Sequence, residues 1–153
     1  MKTIIVDDEI MAIKLVRNYL ERDKRVEIVG ECLDAGEALQ CVRERAVEAA
    51  FLDICIHGCM DGVELGKKLK ELNPQIVLIY TTGNAQYVDN AIDVEADFYL
   101  MKPLNAAELT FVVKKANELA LQRNKRIFAR TFGHFDLYID CLLYTSPSPR
   151  DGA

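Results

Sequence analysis

The chain has 153 residues, half of them hydrophobic and 28% charged, with a formal net charge of -5; this is room for one ordinary domain and a fragment of a second. The acidic balance weighs against a broad basic face that would grip nucleic acid. No apolar run approaches the roughly 18 residues that cross a bilayer, and the opening "KTIIV" meets Asp7 and Asp8 too soon to be a signal peptide, so a cytoplasmic protein with no membrane partner is expected.

Apolar runs and amphipathic stretches alternate along the chain. "KTIIV" reads as a strand, and residues 9–22 as a helix with Ala12, Ile13, Val16, Tyr19 and Leu20 on one side. "VEIVGEC" is a second strand, followed by a helix over 35–46 for which Asp34 is the expected N-cap. "AAFLDI" is a third strand, and the helix over 62–72 stops at Asn73-Pro74. "QIVLIYT" is a fourth strand, with a less hydrophobic helix over about 84–94 behind it. "DFYLM" is a fifth strand, and a helix over about 105–124 repeats Leu109, Val112, Val113, Ala116, Leu119 and Ala120 at helical spacing.

Five strand–helix units imply an α/β domain: a doubly wound, five-stranded parallel sheet with right-handed crossovers and helices on both faces. Strands one, three and four are almost wholly apolar, as strands covered on both sides should be. In such a sheet, sites form beyond the carboxyl ends of the strands.

Five cysteines stand at 32, 41, 55, 59 and 141. His57 lies between Cys55 and Cys59, yet no second Cys or His pair follows at zinc-ligand spacing, so buried, reduced thiols are expected. The strand ends carry more chemistry. Strand one runs into Asp7-Asp8-Glu9, strand three ends at Asp53, strand four at Thr81-Thr82-Gly83 and strand five at Lys102-Pro103. Taken singly, such residues cap helices, form turns or sit as solvated charges. Together they place several carboxylates, a hydroxyl and an ammonium on one edge. Crowded carboxylates call for a cation, and Mg²⁺ accepts one or two of them while leaving positions for phosphate oxygens. A carboxylate at the end of strand three can then attack phosphorus and become an acyl phosphate.

The stretches "IIVDDE", "FLDI…MDGVEL", "TTGN" and "FYLMKP", in this order and spacing over residues 1 to about 123, resemble the response-regulator receiver domains of bacterial two-component systems. The resemblance implies a flavodoxin-like sheet in the order 2-1-3-4-5. It implies that Asp53 is the phosphoacceptor, that Asp7 and Asp8 hold Mg²⁺ with Asp53, and that the backbone carbonyl of Cys55 is a further ligand. Thr82 and Lys102 would contact the phosphoryl group; Thr82 is preferred to Thr81 because it stands twenty residues before Lys102 and is followed by the small Gly83. Tyr99 matches the family's rotameric aromatic switch. The implied partner is a sensor histidine kinase, and phosphorylation is expected to remodel the surface of the 84–94 helix, the fifth strand and the last helix, promoting homodimers. The chain would assist its own phosphorylation and dephosphorylation rather than act as an enzyme on a separate substrate. Ile56-His57 replaces the Met-Pro pair of many members, and "HGC" lengthens the following loop by one residue.

Residues 1–123 are therefore expected to be the receiver, 124–126 a short basic linker, and 127–140 a hairpin of two strands joined at Gly133-His134. "RTFGHFDLYID" resembles the opening of winged-helix DNA-binding domains that accompany a transcriptional activator domain, so DNA is expected as a partner of the full-length protein only. The alternatives are a stand-alone receiver that signals by protein contact and a phosphatase or phosphotransferase with an Asp nucleophile; for the last, the Asp-x-Asp acid–base partner is missing because Ile54 and Cys55 follow Asp53. The tail "CLLYTSPSPRD" can be written as the codons of a transposase-based sequencing adapter, so 141–153 is expected to be non-native and to pack against nothing specific.

Overall fold

A computed structural model describes residues 1–58, 60–83 and 96–132, with the backbone alone for 126–132. The chain divides into two compact units, Met1–Ala120 and Leu121–Ala153. In the first unit, five strands form one parallel sheet: β1 (Lys2–Val6), β2 (Glu27–Cys32), β3 (Ala49–Asp53), β4 (Val77–Thr82) and β5 (Phe98–Met101), in the order β2-β1-β3-β4-β5. This is the sheet and strand order expected from the sequence. The helices are α1 (Ile10–Leu20), α2 (Ala35–Glu44), α3 (Gly62–Leu72) and α4 (Ala106–Phe132).

The central strands carry no solvated face. Every residue of β3 and β4 is buried, as are four of the five in β1, whereas the edge strands β2 and β5 are only partly covered. Side chains alternate between two cores with the two-residue period of a pleated strand. Ile4, Val6, Ala50, Leu52, Leu78 and Tyr80 pack with Ala38, Leu65 and Leu69 of α2 and α3. Ile5, Phe51, Val77 and Ile79 pack on the other face with Ile13, Val16, Leu109, Val113 and Ala116 of α1 and α4. Each fully buried Leu or Ile contributes roughly 1.5–3 kcal/mol relative to exposure, so both faces are strongly committed.

Caps set the helix starts. The Asp34 carboxylate accepts from the Glu37 N–H at 2.9 Å, Asp61 accepts from Glu64 N–H at 2.9 Å, and the Asn105 side chain accepts from Glu108 N–H at 2.8 Å. α3 ends at Leu72, one residue short of Asn73-Pro74, because the residue before proline is driven out of the helical region.

One expectation fails in the second unit. The linker at 124–126 and the first strand of a hairpin from 127 are not what the backbone forms: α4 continues helically to Phe132. The reason is the absence of a stop signal, since no Gly or Pro occurs between Ala106 and Gly133, and extending an existing helix costs far less than nucleating a new element. The rest of that hairpin, at 133–140, the tail at 141–153 and the helix over 84–94 lie outside the described residues. Among the described residues no helix is long and apolar enough to cross a membrane.

Candidate functional site

The ends of β1, β3 and β5 bring three carboxylates and one ammonium together. Oxygen atoms of Asp7, Asp8 and Asp53 all lie within 4.8 Å of one another. The Lys102 Nζ is 3.1 Å from Asp7 Oδ2 and 3.7 Å from Asp53 Oδ2. Neighbouring parallel strands hold these groups in register: Val6 pairs with Leu52, and Asp53 with Thr81. Asp7 is further fixed by the Glu9 N–H on its Oδ1 at 3.0 Å, and its own N–H donates to the Cys32 carbonyl at 3.1 Å.

Asp53 is buried at 7% exposure. Its Oδ1 accepts from the Cys55 N–H at 3.1 Å, which leaves Oδ2 on the Lys102 side. Burial raises the Asp53 pKa above the ordinary carboxylate value, with the charges of Asp7 and Asp8 adding to the rise; the Cys55 N–H and Lys102 pull the other way. For Lys102, burial opposes the ammonium, but Asp53 and Asp7 outweigh it and its pKa is raised. Lys102 is therefore a fixed positive charge, and it answers only one of the three negative charges beside it. At separations near 5 Å each like-charged pair costs roughly 3 kcal/mol for an effective dielectric constant of about 20. The donor set is all oxygen, hard and anionic, which suits a divalent cation such as Mg²⁺.

The loop after β3 is shaped by a glycine. A Cβ on Gly62 would stand 2.2 Å from the Asp53 carbonyl oxygen and 2.6 Å from the Ile54 Cα, so only glycine lets the start of α3 lie against the end of β3. The Gly62 N–H donates to the Ile54 carbonyl at 3.0 Å across this contact. The "MDG" stretch thus supplies a helix cap in Asp61 and a close approach in Gly62.

Thr82 is buried at the end of β4, where its backbone carbonyl accepts from the Lys102 N–H at 2.8 Å. Thr81 rather than Thr82 is the residue paired with Asp53 across the sheet. Cys55 stands in the turn next to Asp53, half-buried. Tyr99 is not brought to the acidic cluster: it is half-buried, with its ring stacked on Tyr80 at 6.1 Å between centroids and 22° between planes. Below it, the Tyr80 hydroxyl donates to the Gly62 carbonyl at 3.0 Å.

No sequence pattern assigns His57 to this site, yet it reaches it. Its backbone N–H donates to Asp8 Oδ2 at 3.2 Å, and its ring Nδ1 lies 2.5 Å from the same oxygen. The hydrogen bond from His57 holds the Asp8 pKa down, and the same bond raises that of His57. The available signal was its place four residues beyond Asp53, in the loop facing β1.

The sequence model of the response regulator receiver domain family matches residues 3–114. The chain is 31% identical over 115 residues to the sensory transduction protein LytT of Bacillus cereus, covering 75% of this chain and 46% of that protein. It is 30% identical over 115 residues to the transcriptional regulatory protein YpdB of Escherichia coli, covering 75% and 47%. The chain thus spans about half the length of these curated relatives. Among solved structures it is similar to the REC domain of AraT, a response regulator from Geobacillus stearothermophilus, with a TM-score of 0.73 and 32% identity over 80% of this chain and 97% of that one.

Proposed function

The chain belongs to the response regulator receiver domain family, and from that premise we propose that it accepts a phosphoryl group on Asp53 from a sensor histidine kinase and relays the change to a transcriptional output. The observation that carries this reading is the convergence of Asp7, Asp8 and Asp53 with Lys102 at one sheet edge.

Asp53 is the nucleophile. With Oδ1 held by the Cys55 N–H, Oδ2 attacks phosphorus; an O–P bond forms and the bond to the donor's nitrogen breaks, leaving that electron pair on the donor. Lys102 then balances charge on a phosphoryl oxygen, and the Thr82 hydroxyl donates to another. Asp7, Asp8 and Asp53, with the Cys55 carbonyl, would hold Mg²⁺, which when bound supplies charge neutralisation for the phosphoryl oxygens. The chain assists its own phosphorylation and dephosphorylation in this scheme and turns over no separate substrate.

Signalling follows from the strands that carry Thr82 and Tyr99. Thr82 pairs with Met101, and Tyr80 with Tyr99, in the β4–β5 register. A Thr82 drawn toward phosphate leaves space that Tyr99 enters, a local charge event that biases a two-state element. The surface of β5 and α4 changes with it, and pairing of two copies through that surface is the expected consequence. Control of transcription would run through DNA-binding residues of a longer protein, in keeping with the names and lengths of the relatives.

Acetyl phosphate and Mg²⁺ test the site directly. The parent should gain one phosphoryl group by intact mass, and Asp53→Ala should gain none. Equal labelling of the two proteins would rule out Asp53 as the acceptor.

A further inference from the structure

A second pair of nucleophilic side chains lies at the carboxyl end of the edge strand β2, between it and α2. The Cys32 thiol donates to the Cys41 sulfur, with the two sulfurs 3.8 Å apart. Both are free thiols, Cys32 buried at 1% exposure and Cys41 only half-buried. Room for the Cys41 sulfur comes from Gly30, two residues before Cys32 on the same face of β2: a Cβ there would stand 2.7 Å from the Cys41 sulfur. Any other residue at position 30 would push α2 or the thiol away. An open groove of about 590 Å³ runs past the pair, lined by both cysteines with Gly30, Asp34, Gln40 and Arg45.

We propose that Cys32 and Cys41 are a redox-active dithiol that a peroxide closes to an intrachain disulfide. Burial, with Cys41 close by, raises the Cys32 pKa and keeps that thiol protonated, so the groove-facing Cys41 reacts first. Its thiolate attacks one oxygen of hydrogen peroxide; an S–O bond forms, the O–O bond breaks, and the departing hydroxide takes a proton to become water. The Cys32 sulfur then attacks the sulfenic sulfur of Cys41. An S–S bond forms, the S–O bond breaks, and the oxygen leaves as a second water with the thiol proton. The two thiols together give up two electrons and two protons, and the peroxide becomes two waters.

Closure from 3.8 Å to the roughly 2.05 Å of a disulfide draws α2 onto the end of β2. That end is tied to the acidic cluster, since the Asp7 N–H donates to the Cys32 carbonyl at 3.1 Å. Oxidation therefore acts on the backbone that presents Asp7.

The test treats the full chain with a small excess of hydrogen peroxide, then maps peptides and records the Asp7 amide resonance. A Cys32–Cys41 linked peptide, a shifted Asp7 amide, and return of both on adding dithiothreitol are expected. Cys32→Ala should stop at a sulfenic acid on Cys41, trapped by dimedone. If that variant does not fold, Cys41→Ala serves instead, and should form no disulfide while leaving Cys32 slow to alkylate. Thiols at 32 and 41 that both alkylate once the peroxide-treated chain is denatured, or oxidation confined to Cys55, would overturn the dithiol. A disulfide that leaves the Asp7 amide unmoved would overturn its coupling to the acidic cluster.

Discussion

The hydroxyl of Tyr80 donates to the carbonyl of Gly62 at 3.0 Å, in the interior between β4 and α3. This bond joins the strand that ends in Thr82 to the helix that begins just beyond Asp53. It depends on a slot at Gly66, where a Cβ would come within 1.9 Å of the same hydroxyl. Tyr80→Phe keeps the ring and removes only the oxygen, so it should cost about 1–2 kcal/mol. In urea unfolding the midpoint should fall with the slope unchanged. Gly66→Ala should cost more, because it drives a methyl group into the ring rather than deleting a partner. Equal midpoints for Tyr80→Phe and the parent would mean that the bond carries no net stability.

Gly62 offers a sharper case, because its missing side chain borders the acidic cluster. A methyl group at 62 would overlap backbone atoms, the Asp53 carbonyl oxygen and the Ile54 Cα, and backbone cannot rotate out of the way. Gly62→Ala should therefore lose about 1–3 kcal/mol and displace the end of β3 that holds Asp53. Acetyl phosphate labelling should be slowed more than tenfold at a temperature where the variant remains folded. Normal labelling by a folded Gly62→Ala would show that the close contact of α3 with β3 does not position the acceptor.

Much of this architecture is legible in the order of residues, for reasons that differ by element. Strands β1, β3 and β4 read as apolar runs because burial on both faces leaves no polar position to mark a period, and α3 has its 62–72 bounds because Asp61 and Asn73-Pro74 punctuate both ends. Asp7, Asp8, Asp53 and Lys102 converge because parallel strands in one sheet deliver their carboxyl ends to one edge. What escapes is contact set by the angle and shape of loops and helices. The His57 bond to Asp8 joins residues 49 apart in the chain, and no periodicity predicts it. The Cys32–Cys41 contact needs α2 to lie over Gly30, a matter of packing distance. The helical run past residue 124 is readable in principle, since nothing before Gly133 ends it, but Gly133-His134 reads as the turn of a hairpin and so makes the residues before it look like a strand.

His57 competes for Asp8. Its imidazole lies 2.5 Å from Asp8 Oδ2 and its side chain is 88% exposed. The hydrogen bond to Asp8 raises the His57 pKa, so the charged pair is complete below the ordinary imidazole value of 6.5 and is lost as pH rises through the raised one. A divalent cation that uses the Asp8 carboxylate must displace this bond. Calorimetric titration with Mg²⁺ should show tighter binding as pH rises through that window. His57→Ala should bind Mg²⁺ roughly two- to five-fold more tightly below it, the range that exposed ion pairs allow, and its affinity should vary less with pH. Identical Mg²⁺ affinities at every pH would show that His57 does not hold Asp8 in solution.

The acidic cluster itself should be a cost to the fold when no cation is present. Burial, with the charges of Asp7 and Asp8, raises Asp53 above its ordinary value of 3.8 in the folded chain. Between that value and the raised one, the folded state binds more protons than the unfolded state, so stability falls as pH rises through the window. Above it the whole loss is present. Asp53→Asn keeps the shape and removes the charge, and with it the repulsion from two neighbouring carboxylates, at the expense of one attraction to Lys102. In metal-free buffer at neutral pH the variant should be more stable by about 1 kcal/mol, and the gap should narrow as pH falls toward 3.8. Saturating Mg²⁺ should stabilise the parent more than the variant, since the gain grows as the logarithm of cation concentration over dissociation constant and the variant has lost a ligand. Urea melts of both proteins, with and without Mg²⁺, measure all three effects. A parent more stable than Asp53→Asn in metal-free neutral buffer would mean that Lys102 alone outweighs the repulsion at this sheet edge.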